Sequence, residues 1–149
     1  MPKQIPKIGD VFLIPLNNRK CAVGQIVEIE VGMMSSITCV FYNGIYIPEV
    51  EIGDVSNDIS RAISCQFVTR DLFNNGTWKR ISNRALPNTQ DILPYRETKS
   101  NGWIGAKMIG SGIIKTFLNA YNGLDDWRGM HDKQYFEKLL LPGVFGPRA

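Results

Sequence analysis

KCAVGQIVEIEV, residues 20–31, is an apolar run that acquires acids at alternate positions near its end. Side chains on a strand alternate with a period of two, so Val23, Val27, Ile29 and Val31 are expected on one face and Glu28 and Glu30 on the other. Both acids should then point outward together. Upstream, DVFLIP (10–15) is a second apolar run, and Asn17 and Asn18 between the two supply turn chemistry, which predicts a hairpin. Downstream, SITCVFY (36–42) reads as a third strand. Gly24 falls in mid-strand, where a small barrel must bend sharply.

Working outward, RAISCQFVTR (61–70) alternates Ile63, Cys65 and Phe67 against Ser64, Gln66 and Val68, as a half-buried strand does. Asn74, Asn75 and Gly76 precede TWKRI (77–81) and predict a second hairpin. Between Ile45 and Ile52 the pattern is irregular, and Pro48 argues for an edge strand or loop. Residues 86–103, with two prolines and many polar residues, read as a long surface connection. From Ser111, the residues Ile113, Ile114, Phe117, Leu118 and Tyr121 recur at helical spacing until Gly123, and a second helix is expected over about 131–141, ahead of Pro142. The expected fold is α+β: a strongly curved antiparallel sheet, an SH3-like partly open β-barrel, followed by two C-terminal helices packed on it. One domain over 1–149 is expected, β-rich over about 8–86, a connection over 87–110 and helical over 111–141.

With 149 residues, 44% of them hydrophobic, the chain can bury one sizeable core but hardly two. MPKQIPKIGD has no apolar run suited to a signal peptide, and no segment approaches the roughly 18 apolar residues of a membrane span, so a cytoplasmic address is expected. Cys21, Cys39 and Cys65 are odd in number, form no CxxC pair and lie in strand-like runs, which predicts buried free thiols. The single histidine, His131, stands at a helix start beside Asp132, a capping or surface position with no nearby nucleophile. No set of His and Cys pairs could ligate a metal. IGSG (109–112) places glycines before a helix, where a phosphate could be held, but without a following Lys it is plain punctuation. The i, i+2 pairs Glu28/Glu30 and Glu49/Glu51 lack the burial that would raise a carboxyl pKa for hydrolysis. No enzyme, cofactor or metal is therefore expected.

Charge is distributed unevenly. Residues 21–60 contain six acids and no base, whereas residues 1–20 carry +3 and residues 61–149 carry +6. Such a separated field bears on which partners are attracted. Lys79, Arg80, Arg84, Arg96, Lys99, Lys107 and Lys115 with Trp78, Tyr95 and Trp103 could form a nucleic-acid surface. The aromatics do not interleave at strand spacing, however, and core tryptophans with solvated bases explain the same residues.

GDVFLIPL (9–16) with AVGQIVEI (22–29), TWKRISNRAL (77–86), FLNAYNGLDDW (117–127) and DKQYFEKLLL (132–141) together resemble the immunity protein 26 family of bacterial polymorphic toxin and contact-dependent inhibition systems. The resemblance implies a small non-enzymatic protein that binds the C-terminal effector domain of a cognate toxin and blocks it. It brings no catalytic motif with it. Many effector domains are nucleases, and a nuclease is basic where it holds substrate. The acids can then be read as a docking surface, with Glu28, Glu30, Tyr46, Glu49, Glu51, Asp54 and Asp58 as contacts and Ile47 and Val50 as apolar anchors among them. Solubility and edge protection would explain the same charges. A monomer in a 1:1 complex is expected. Two other functions stay open, a nucleic-acid-binding small-barrel module and an endoribonuclease of the plasmid-maintenance type, whose first strand GDVFLIPL also resembles.

Overall fold

A computed structural model describes residues 3–30, 36–88 and 108–147. The strands are β1 (Asp10–Pro15), β2 (Cys21–Glu30), β3 (Ser36–Tyr46), β4 (Ala62–Val68), β5 (Lys79–Asn83) and β6 (Met108–Ile109). Among the described residues the α-helices are α1 (Asp71–Asn74), α2 (Ser111–Tyr121) and α3 (Tyr135–Leu139). The strands form one sheet of six in the order β5-β1-β2-β3-β4-β6, antiparallel except for the β4–β6 pair. The expected connection over 87–110 lies mostly outside the described residues.

The hairpin of β1 and β2 forms as the sequence predicts, with Pro15 opposite Cys21 and Leu16 N–H donating to the Lys20 carbonyl at 2.8 Å. The second hairpin does not form. The chain leaves β4 through the helical turn α1, and β5 pairs with β1 instead, Phe12 opposite Arg80. The Asn-Gly signal there ends a helical turn, with Gly76 at φ +85°.

The α+β expectation holds, but the SH3-like, partly open barrel is found only as an open sheet, β5 and β6 standing at opposite ends of the order. A closed small barrel has one interior, whereas each face of this sheet carries its own core. One face holds Phe12, Ile14, Ile26, Ile37 and Phe41 under Ile114, Phe117 and Leu118 of α2 and Phe136 and Leu139 of α3. The other holds Val11, Leu13, Val23, Val27, Val40 and Tyr42, with Val55 and Ala62.

Two-sided burial changes what alternation means in β2. The ladder slips between Ile26 and Glu28 as it pairs with β3, so Val27 is an extra residue. Val27 stays with Val23, but Ile29 crosses to the helical face, and Glu28 lies opposite Thr38. The expected pairing of Ile29 with Val23 and Val27, and of Glu28 with solvent, fails for this reason, and Val31 lies outside the described residues. A slip between Phe41 and Tyr42 does the same in β4, putting Ile63 and Cys65 into different cores. Gly24 admits a neighbour: a Cβ there would stand 2.6 Å from the Phe12 ring. That ring stacks on Trp78 at 5.3 Å and meets Phe73 edge-on at 5.5 Å, an aromatic centre with no solvent contact.

Helix α2 begins and ends as predicted, with Gly123 at φ +78° stopping it. Its N-cap residue, Gly110, has no side chain, and β4's exit supplies the cap: Thr69 Oγ1 accepts from Ser111 N–H at 2.8 Å, and Asp71 Oδ1 accepts from Ser111 Oγ–H at 2.7 Å. Helix α3 is shorter than the expected 131–141. Leu140 turns extended, with Leu141 N–H bound to the Ile63 carbonyl at 2.8 Å and the Leu139 carbonyl accepting from Ser64 at 2.6 Å, so β4 ends the helix early.

Candidate functional site

The segment 47–61, between β3 and β4, folds over the face opposite the α-helices as a succession of tight turns, two of them single 3-10 turns at Ile52–Asp54 and Ile59–Arg61. Val50 N–H donates to the Ile47 carbonyl, Asp54 to Glu51, Val55 to Ile52 and Arg61 to Asp58, at 2.9–3.1 Å. Val50, Val55 and Ile59 face down onto the sheet. Glu49, Glu51, Asp54 and Asp58 face out and are exposed. Pro48 therefore marks a turn, the loop reading of this stretch, and the four acids share a loop instead of a strand face.

A polar node pins the segment from beneath. Gln25, fully buried in β2, donates through Nε2 to the carbonyls of Gly9 and Arg84, each at 3.2 Å, and accepts through Oε1 from Tyr42 Oη–H at 3.3 Å and Asn57 Nδ2 at 3.2 Å. Asn57 also donates to the Ala85 carbonyl at 3.3 Å. The Arg84 guanidinium donates to the carbonyls of Val55 and Ile52. Tyr46 Oη accepts from Ser56 N–H at 3.3 Å, so Tyr46, expected as a contact, is half-buried and supports the loop from within. The signal for the node was present in β2: Gln25 is the polar residue on the face otherwise occupied by Val23 and Val27. Sequence reading placed Arg84 on a basic surface and gave Gln25 and Asn57 no role.

The four loop acids are thus held together, and among the described residues no ion pair joins Glu49, Glu51 or Asp54 to a base. Asp58 caps its own turn, and the Ser60 backbone N–H, at 3.0 Å, is the main cause holding its carboxyl below the usual range. Glu28 is placed apart. It is half-buried, with Oε2 shielded from solvent, and its charge joins the larger effect of burial in pushing the Cys65 thiol up to about 12. Glu30 lies at the end of β2, and its side chain lies outside the described residues. Ile47 is 56% exposed, an apolar surface residue among the acids, while Val50 packs inward.

Other chemistries find little to work with. All three cysteines are free and buried as expected, and burial raises the pKa of each, for Cys21 with help from the charge of Glu49. Among the described residues, no group of His, Cys, Asp or Glu could hold a metal ion, and no helix is long and apolar enough to cross a membrane. The basic surface loses members to the fold: Trp78 is core, Arg84 clamps the loop, and Arg80 pairs with buried Asp10 at 3.2 Å. Arg96, Lys99, Lys107, Tyr95 and Trp103 lie outside the described residues.

Fold and site define a class: a small α+β protein whose open sheet is backed by helices on one face and presents a pinned acidic loop on the other. The sequence model of the family described as Immunity protein 26 matches residues 7–103, and the chain belongs to that family. No curated protein and no solved structure matches it. Membership implies an immunity role without enzymatic activity. Two of the stretches that carry the resemblance meet in space. Gly9 stands at φ +94° with the Arg84 carbonyl 2.7 Å from where a Cβ would be, and Asp10 accepts from Asn83 Nδ2 at 3.0 Å and from Arg80. Their shared work is structural, joining β1 to β5. The stretches 117–127 and 132–141 fall outside the matched span.

Proposed function

We propose that this protein neutralises the effector domain of a cognate bacterial toxin by occupying its basic substrate site with the 47–61 loop, the contacts being Glu49, Glu51, Asp54 and Asp58 with Ile47 as an apolar anchor. The carrying observation is that four exposed carboxylates share one loop that partly buried hydrogen bonds hold in place. A loop already ordered loses little conformational freedom on binding. A one-signed patch steers a cationic partner and raises its association rate. On this reading the effector is a nuclease, the complex is 1:1 in the cytoplasm, and occupancy is the entire activity. Glu28 and Glu30 contribute at most to the surrounding field.

The test is association kinetics with the effector domain encoded beside this chain. The double variant Glu49→Lys/Glu51→Lys is expected to associate at least about 10-fold more slowly at low salt and to show a flatter salt dependence. An unchanged on-rate at low ionic strength would place the toxin-binding surface elsewhere.

A further inference from the structure

Beside the acidic loop, on the same face, lies a cleft of about 480 Å³ between the 47–49 turn and the β1–β5 edge. Leu13, Pro15, Cys21 and Pro48 give it apolar walls, and Thr77 and Lys79 stand on the side away from the loop. Leu13 and Cys21 are 3% and 5% exposed, so the floor belongs to the core and is firm. The lips differ in charge. Glu49 follows Pro48 on one side, close enough to act on the Cys21 thiol, whereas Lys79 is exposed on the other. Arg80, also on that side, is already committed to Asp10 and to the Ile5 carbonyl.

We infer that this cleft is the socket for one aromatic side chain of the toxin effector domain, projecting from its basic surface with cations on the Glu49 side. The inference rests on the proposed acidic interface and extends it to the anchor that sets dissociation. Aromatic side chains dominate binding energy where they enter firm apolar pockets ringed by polar contacts. Pro15 and Pro48 both line the cleft, and their flat apolar rings suit an aromatic one. The cleft adjoins the loop, so one partner can span both. Its lips favour one docking direction, because reversal would set the partner's cations against Lys79.

The discriminating variant is Thr77→Trp, which fills the cleft from its rim and leaves the loop acids untouched. It is expected to weaken the effector complex about 30-fold or more, nearly all through faster dissociation, with the association rate and its salt dependence unchanged. Parent-like dissociation by a folded Thr77→Trp would overturn the socket; the acidic reading would survive if Glu49→Lys/Glu51→Lys still slowed association. The converse result, loss with Thr77→Trp alone, would keep the socket and remove the steering role. In the unsubstituted chain, the Leu13 methyl resonances are expected to shift on adding the effector domain. Their failure to move in a formed complex would overturn the socket even if Thr77→Trp does not fold.

Discussion

The two faces of the sheet are held by different forces. On the helical face, large apolar side chains interlock: Phe12, Phe41, Phe73, Trp78, Phe117 and Phe136 are all at most 1% exposed. On the loop face the core is mostly small aliphatics, and the layer above it is positioned by Gln25, Asn57, Tyr42 and Arg84 through hydrogen bonds to carbonyls and amides. Dispersion and burial are cumulative and tolerant of direction, whereas hydrogen bonds fix direction and are few. The lesson is a division of labour: stability is concentrated on one face, and the geometry of the proposed binding surface on the other.

That division can be attacked in descending order of effect. Trp78→Ala removes the centre of the aromatic stack and should cost about 3–5 kcal/mol, read from the urea midpoint. A smaller loss than from any loop-face variant would refute the contrast. Arg84→Met keeps the side-chain bulk but releases two carbonyls, and should cost about 1.5–3 kcal/mol, the range for hydrogen bonds to a charged group. Its specific signature is faster amide exchange at Asp54 and Val55 with Phe117–Ala120 unchanged. Uniform acceleration would mean that the two faces melt as one. Asp71→Asn probes the cap of α2. The Ser111 hydroxyl, then Thr69, hold the Asp71 carboxyl below its usual range, so its contribution is present in full above about pH 4 and is lost as pH falls through the folded value. Because the group is exposed and partly screened, the variant should be only ~0.5–1 kcal/mol less stable at neutral pH, with the difference closing in acid.

How far the sequence foretells this structure follows from which interactions are local. The β1–β2 hairpin, the third strand, helix α2 with its Gly123 stop and the buried thiols are set by turn residues and short-range periodicity, and all are found. The pairing of β5 with β1 joins residues about seventy apart in the chain, and no local pattern encodes it. The slip at Val27 was equally hidden, because a bulge looks like ordinary alternation until the partner strand is known. In the candidate site, the run of acids was legible, and its exposure is found at Glu49, Glu51, Asp54 and Asp58 but not at Glu28. The devices that orient them were not, since Arg84 and Asn57 bond to backbone carbonyls, which every sequence possesses.

Strand β5 has a consequence for how damage spreads. Trp78, just before it, is locked into the aromatic centre, and Arg84, just after it, grips the loop, so one short edge strand works as a tie-rod between the two layers. Order passes along such a member from the anchored centre to the loop. Loosening the hydrophobic centre would slacken the acidic loop before the protein unfolds, whereas release of the loop alone leaves the centre intact. On the proposed function, neutralisation is then lost through a lesion far from the loop acids.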